Sequence, residues 1–326
     1  MRIGSNPQKK NYKIDMLSNH RIVMVVFIPE LTGYYVSMLE VLKISLKSII
    51  MTIPSTSKIT IVDNGSCKEV QDYLIGLLKT NEIDCLQLLS ENIGKIDALI
   101  GAARASREPI ITLTDCDILF KPHWVTKTIE IFNAFDNVGS VSPIPSRSFN
   151  YYTFSTKESI LKKKIKLIFE PIVENNEGVK LFFKSINWKS TESVMRPWPI
   201  VIRNNVKAIV GSEHQVLTLR RDILFNNTYK EPSFIKVGNG SEERYVDYAI
   251  DESSGLRLAT YNFYAFHMGN ALDEWMKETV NGYEKDNNKV PVLKIKPSLN
   301  YVSKNKKIYK VKKHIIKRFF KIKQPE

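Results

Sequence analysis

The chain has 326 residues, 43% of them hydrophobic and 25% charged, which excludes the disordered and fibrous classes and leaves room for a sizeable core in one large domain or two modest ones. Its 48 Lys and Arg against 34 Asp and Glu give +14, but ten of the basic residues and no acid fall between Lys304 and Lys323. The remaining 38 basic and 34 acidic residues nearly balance, so charge does not make nucleic acid the expected partner.

Residues 1–20 read as a polar, mobile leader. The run Ile22 to Ile28 reads as a strand buried on both faces and stopped by Pro29. At seven residues it is far too short to span a bilayer, and it does not resemble a signal peptide. Apolar positions from Tyr35 to Ile50 follow helical spacing. A second strand, Ile59 to Val62, ends abruptly in Asp63-Asn64-Gly65-Ser66. A helix over about 68–79 leads to a third strand, Leu86 to Leu89; Asn92-Ile93-Gly94 then opens a helix to about Ala105. Ile110 to Thr114 is a fourth strand, terminated by Asp115-Cys116-Asp117. Strands alternating with helices in this way predict an α/β fold, an open and mostly parallel sheet with flanking helices. Ligands of such sheets bind beyond the carboxyl ends of the strands, where Pro29-Glu30, Asp63 to Ser66, Glu91 to Lys95 and Asp115 to Asp117 gather.

Beyond residue 121 the pattern loosens. Lys157 to Phe169 is basic with helical apolar spacing, and Gly211 to Leu224 reads as a strand or loop. Glu242 to Ile250 reads as an acidic helix, and Leu256 to Phe266 as a strand delivering His267. Cys67, Cys85 and Cys116 are too few for a disulfide framework and form no CxxC pair, so a reducing cytoplasm is the expected setting.

The sharpest chemistry is Asp115-Cys116-Asp117. Alternate residues of an extended segment share a face, so the two carboxylates project together. Hard oxygen ligands at a strand end suit Mg²⁺ or Mn²⁺, although the pair alone reads better as a solvated terminus. The ordered set is more specific: a strand ending in Pro29, then Val62-Asp63-Asn64-Gly65-Ser66, then Asn92-Ile93-Gly94-Lys95-Ile96-Asp97-Ala98, then the paired acids. This resembles the nucleotide-sugar-binding half of the GT-A-fold glycosyltransferases of family 2, closely over 21–120 and more weakly over 205–270.

The resemblance implies a nucleotide-sugar donor, a glycan or lipid-linked acceptor and a divalent metal. Pro29 and Glu30 then line the donor site, and Asp63 meets the base or ribose unless it only holds its turn. Asn92 and Gly94 let the backbone approach the nucleotide, and Lys95 either contacts phosphate or is a solvated first-turn lysine. Asp115 lies near ribose and metal, Asp117 is the direct metal ligand, and His267 completes the metal site unless it is structural. Where inverting members carry E-D-x-D, this chain reads Glu242-Glu243-Arg244-Tyr245-Val246-Asp247. Asp247 is the first choice for the base that takes the acceptor proton, ahead of Glu243 and then Asp251, with Glu213 a further candidate. The processive Q-x-x-R-W signature is missing, Arg196-Pro197-Trp198 not fitting it, so one sugar per encounter is expected.

The organisation expected is thus a leader (1–20), a donor half (21–120), an acceptor half of the same domain (121–290) and a basic tail (291–326). In the tail, Ile308, Val311, Ile315, Ile316, Phe319 and Phe320 form an apolar stripe among cations. That suits an anionic membrane surface contacted through residues 304–323, and hence a cytoplasmic enzyme peripheral to the inner face. Two rival readings are a sugar-phosphate nucleotidyltransferase, whose Gly-rich, Arg-containing loop is replaced here by Pro29 to Tyr35, and a non-catalytic membrane or RNA adaptor.

Overall fold

Strand β1 (His20–Val26) divides its side chains between two cores. Ile22, Met24 and Val26 belong to one hydrophobic cluster, Val23 and Val25 to another, because successive strand residues point to opposite faces. With both faces covered the strand has no polar side, and each such side chain contributes roughly 1.5–3 kcal/mol by burial. The computed structural model describes residues 3–16, 18–146, 153–188, 196–285, 290–295 and 306–322.

From β1 the chain passes through α1 (Met38–Thr52), β2 (Ser57–Asp63), α2 (Lys68–Lys79), β3 (Cys85–Leu88), α3 (Lys95–Ala105) and β4 (Ile110–Thr114). β1 pairs in parallel with β2 and β4, and β2 with β3. There follow β5 (Ile118–Phe120), α4 (Trp124–Ala134), β6 (Val138–Ser142), α5 (Phe154–Leu161), β7 (Lys166–Glu170), α6 (Asn176–Ser185), β8 (Trp198–Arg203), β9 (Val206–Val210), β10 (Val216–Arg220) and α7 (Arg221–Asn226). A single π-helical turn (Glu243–Asp247) leads into α8 (Tyr248–Glu252), β11 (Leu256–Thr260), β12 (Ala265–His267) and α9 (Glu274–Asn281), and α10 (Lys306–Ile322) follows. The large sheet has the order β3-β2-β1-β4-β10-β6-β11-β9-β8-β7. Its pairings set β10, β9 and β7 against the other seven strands, so the sheet is mostly parallel, as expected from the sequence.

Two sequence expectations changed, and one hairpin was missed. The stretch 157–169 is not one helix: it breaks at Lys163, whose φ is +53, and its second half becomes β7, with Leu167 opposite Val201 and Ile168 opposite Ile200. Pairing with β8 overrides the helical spacing. The strand expected over 256–266 is two strands, β11 in the large sheet and β12 paired with β5 in a separate two-stranded sheet. The β8–β9 hairpin went unseen, although Asn204-Asn205 at its turn, both at positive φ, is the chemistry that such a turn requires.

The small sheet is held by α1. Ser45 Oγ donates to the Ile118 carbonyl at 2.7 Å, and Ser48 Oγ accepts from Phe120 N–H at 2.9 Å. Two small hydroxyls inside a helix thus fix the strand that leaves the paired acids.

The tail helix docks on the body through part of its stripe. Ile316 and Phe320 are buried, Lys157 Nζ lies over the Phe320 ring and Lys313 Nζ over that of Tyr248. Val311 and Ile315 stay 60% exposed and Phe319 39%, at a four-residue spacing that lines them along one face. Lys304, Asn305 and Lys323, and the side chain of Ile308, lie outside the described residues. Among the described residues no helix is long and apolar enough to cross a membrane.

Candidate active site

The strand ends of β1, β2 and β4 meet at one rim, and backbone hydrogen bonds tie their loops together. Asn64 N–H donates to the Val26 carbonyl at 2.8 Å, Cys67 N–H to that of Ile28 at 2.9 Å, and Asp115 N–H to that of Gln215 at 2.9 Å. Pro29 and Glu30 are exposed at this rim. Asp63 is not: it is fully buried at the end of β2. Its carboxylate accepts from Ser66 N–H at 3.1 Å and from Gln71 Nε2 at 3.0 Å, so in this conformation Asp63 holds its own turn.

Asn64 and Asn92 lock two turns to each other. Asn64 Nδ2 donates to Asn92 Oδ1, and Asn64 Oδ1 accepts from Ile93 N–H, each at 3.0 Å. Asn92 Oδ1 also accepts from Gly94 N–H at 2.9 Å. Gly94 has a φ of +103, and a Cβ there would lie 2.4 Å from the Ile235 carbonyl oxygen, so only glycine fits. The segment that crosses here is pinned by Asp97, whose carboxylate accepts from Ser233 N–H at 2.8 Å and Ser233 Oγ at 2.9 Å. Residues 233–236 were not read from the sequence as part of the site; Pro232 and Gly238 gave only a loop signal.

At the start of α3, Lys95 Nζ lies 2.7 Å from Asp115 Oδ1 and 3.6 Å from Glu242 Oε1. Burial alone would lower the lysine pKa, but Asp115, with Glu242 and Asp117 behind it, outweighs burial and leaves it raised. Asp115 is pushed up, chiefly by burial, with Lys95 opposing. The Cys116 thiol between the two acids is pushed up by burial and by both carboxylates.

Asp117 meets His267 because β5 and β12 pair, with Ile118 opposite His267. His267 Nε2 is 3.3 Å from Asp117 Oδ2, and its Nδ1 is 2.7 Å from Ser185 Oγ on α6. Burial would lower the imidazole pKa; the hydrogen bond and charge of Asp117 outweigh it and raise it. Asp117 Oδ1 is buried and has no hydrogen-bond partner among the described residues. Two carboxylates, one of them with an orphaned oxygen, and an imidazole fit a divalent cation. Among the described residues no three such groups already surround one point, so such an ion would complete its shell with water and ligand oxygens.

Of the acids expected to supply a base, Glu243 is half-buried on the π-helical turn. Asp251 is buried and accepts from Ser155 N–H and Oγ at 3.1 and 2.8 Å. Asp247 does not face the rim: it is sealed in an ion pair with Arg257 at 2.6 Å, both side chains 0% exposed. The acid that does reach Lys95 is Glu242, one residue before the π turn. Desolvation would raise its pKa; backbone hydrogen bonding, then Lys95, prevail and lower it.

Residues 34–193 match the family model for glycosyl transferase family 2. The chain is similar to glycosyltransferase family 2 over that stretch. Its sheet is the open, mostly parallel α/β sheet with flanking helices that the sequence predicts. No curated protein sequence matches it. Among solved structures it is similar to a mannosyltransferase from Pyrobaculum calidifontis in complex with GDP-Man and Mn²⁺, at 14% identity and a TM-score of 0.44, over 78% of this chain and 60% of that one. It is also similar to GalNAc-T7 with UDP, GalNAc and Mn²⁺ (14%, TM-score 0.48, 77% and 44%) and to S. aureus TarS 1–349 (11%, TM-score 0.43, 76% and 60%). The chain thus spans 44–60% of the length of these proteins.

Proposed function

We propose that this chain moves one sugar per encounter from a nucleoside-diphosphate sugar, the nucleoside being uridine, to a hydroxyl of a membrane-borne glycan or lipid-linked acceptor, with inversion at the anomeric carbon. The observation that carries this reading is the meeting of Asp115 and Asp117 with Lys95 and His267 at the strand-end rim. The Asn64–Asn92–Gly94 lock supplies a rigid, side-chain-free approach for the nucleotide beside them. Lys95 brings a cation to within reach of a diphosphate, and Glu242 holds it from the other side.

Mn²⁺ or Mg²⁺ would be held by Asp117 and His267, with Asp115 beside them. When bound, the ion would neutralise charge developing on the departing diphosphate. The exposed stripe Val311, Ile315 and Phe319, flanked by lysines and Arg318, supports peripheral attachment to an anionic membrane from the cytoplasmic side.

The test is a thermal-shift panel of UDP- and GDP-sugars with and without Mn²⁺ or Mg²⁺, since a ligand of the native state raises the melting temperature. One donor should stabilise the protein in a metal-dependent way and be turned over. Asp117→Ala should lose that turnover by at least about 100-fold and the metal-dependent shift with it, while melting normally without ligand. A wild-type protein that neither binds nor hydrolyses any of these donors would refute the proposal.

A further inference from the structure

Asp247, sealed away from the rim, has one further neighbour, His214. This histidine sits in the loop between β9 and β10, the Ser212-Glu213-His214-Gln215 segment that the sequence offered for Glu213. The next residue, Gln215, gives its carbonyl to the backbone N–H of Asp115 at 2.9 Å, so the loop is stitched to the paired acids. His214 Nδ1 lies 3.5 Å from Asp247 Oδ2. That is long for a hydrogen bond, as such contacts often are before substrate arrives. Asp247 is itself held by Arg257, whose Nη2 also donates to the Ser212 carbonyl at 2.7 Å. The guanidinium thus ties the acid to the loop that carries the histidine. Nδ1 is buried, so the 28% of the side chain that is exposed belongs to the rest of the residue. Lys95 and Glu242 lie within electrostatic reach of the ring.

We infer that His214, oriented by Asp247 and Arg257, is the general base that takes the proton from the acceptor hydroxyl. Donation from Nδ1–H to Asp247 leaves the Nε2 lone pair for that proton. As the O–H proton passes to Nε2, the hydroxyl oxygen forms a bond to the anomeric carbon. The bond from that carbon to the diphosphate oxygen breaks, and its electron pair leaves with the diphosphate. Asp247 stabilises the imidazolium that results without itself becoming protonated, the logic of a His–Asp pair.

The groups facing the ring support this. Burial would lower the His214 pKa, but the hydrogen bond and charge of Asp247, with Glu213 adding, outweigh burial and the opposing Lys95. The ring is therefore raised from 6.5, towards the operating range that suits a base. Glu242, the other group at the rim, is shifted the opposite way, which makes it the poorer proton acceptor.

The inference rests on the proposed sugar transfer, and one experiment separates the two. Donor binding and hydrolysis of UDP- and GDP-sugars, with water as acceptor and Mn²⁺ saturating, are followed from pH 5 to 9 for wild type, His214→Gln, Glu242→Gln and Glu243→Gln. His214→Gln should lower kcat by 100-fold or more, leave the donor Kd within threefold, and abolish the fall in rate on the acid side. Asp247→Asn should move that fall to lower pH; because its partner Arg257 is buried, the half-exposed His214 supplies the primary variant. If wild type turns a donor over and His214→Gln retains kcat within threefold, or if a glutamate variant alone removes the acid limb, the assignment is overturned while sugar transfer stands. If wild type binds no donor, both fall.

Discussion

Lys95 Nζ stands 2.7 Å from Asp115, so the first residue of α3 and the first acid after β4 form one ion pair across the site. The rim carries its own cation, placed between Asp115 and Glu242. Replacing Lys95 by Met leaves Asp115 buried beside Asp117 without a counter-charge. We expect a loss of about 1–3 kcal/mol in unfolding free energy near neutral pH, with donor affinity at least tenfold weaker by calorimetry. Added Mn²⁺ should restore part of the stability, because a divalent ion answers the same charge.

Gly94→Ala tests the crossing of residues 233–236 over α3. The new Cβ meets the Ile235 carbonyl, and the backbone is in a region that disfavours any side chain. The expected cost is about 1–3 kcal/mol, measured by urea unfolding. Donor binding should weaken together with it, since Asn92 holds the same turn.

Glu108 lies far from this rim and serves stability alone. It is 2% exposed, 2.6 Å from Arg21 Nη2 and 2.7 Å from Ser18 Oγ. Burial would raise its pKa, but hydrogen bonds from Arg21, then Ser18, dominate and hold it at about 2. A carboxyl with a depressed native pKa contributes stability that is complete above its unfolded value of 4.5 and lost as pH falls through about 2. Glu108→Gln should therefore cost about 1–3 kcal/mol at pH 7, a cost that shrinks as pH falls below 4.5 and vanishes only below about 2, and leave kcat unchanged.

The tail makes a prediction of its own. Ile315→Glu adds charge to the exposed stripe without touching Ile316 or Phe320. Sedimentation with vesicles containing anionic phosphatidylserine should show at least tenfold weaker binding, with catalysis in solution unaffected. Wild-type binding should fall as salt rises.

Residues 21–120 were legible because their signals are local. Apolar runs such as Ile22 to Ile28 mark strands buried on both faces, and the polar punctuation after each marks where they stop. Asp115, Asp117, Asn92 and Gly94 are named by neighbours within a few residues. The stretch from Glu242 to Asp247 was not legible in that way. Asp247 and Glu242 are five residues apart, and a π-helical turn between them changes which faces inward, a register shift that side-chain identity does not announce. The bond between Asp247 and Arg257 depends on β11 lying beside the turn, and a third segment reaches both, His214 the acid and Ser212 the guanidinium. Residues 157–169 failed for the related reason that a strand partner 34 positions away, Val201 for Leu167, decided their conformation.

The pairing of β5 with β12 has a temporal consequence. His267 reaches Asp117 only through a ladder whose two strands are separated by almost 150 residues of chain. During synthesis on the ribosome the first four strands can emerge and associate long before that partner exists. A chain stalled or cleaved before residue 265 would have β1 to β4 and still lack His267, the partner of Asp117.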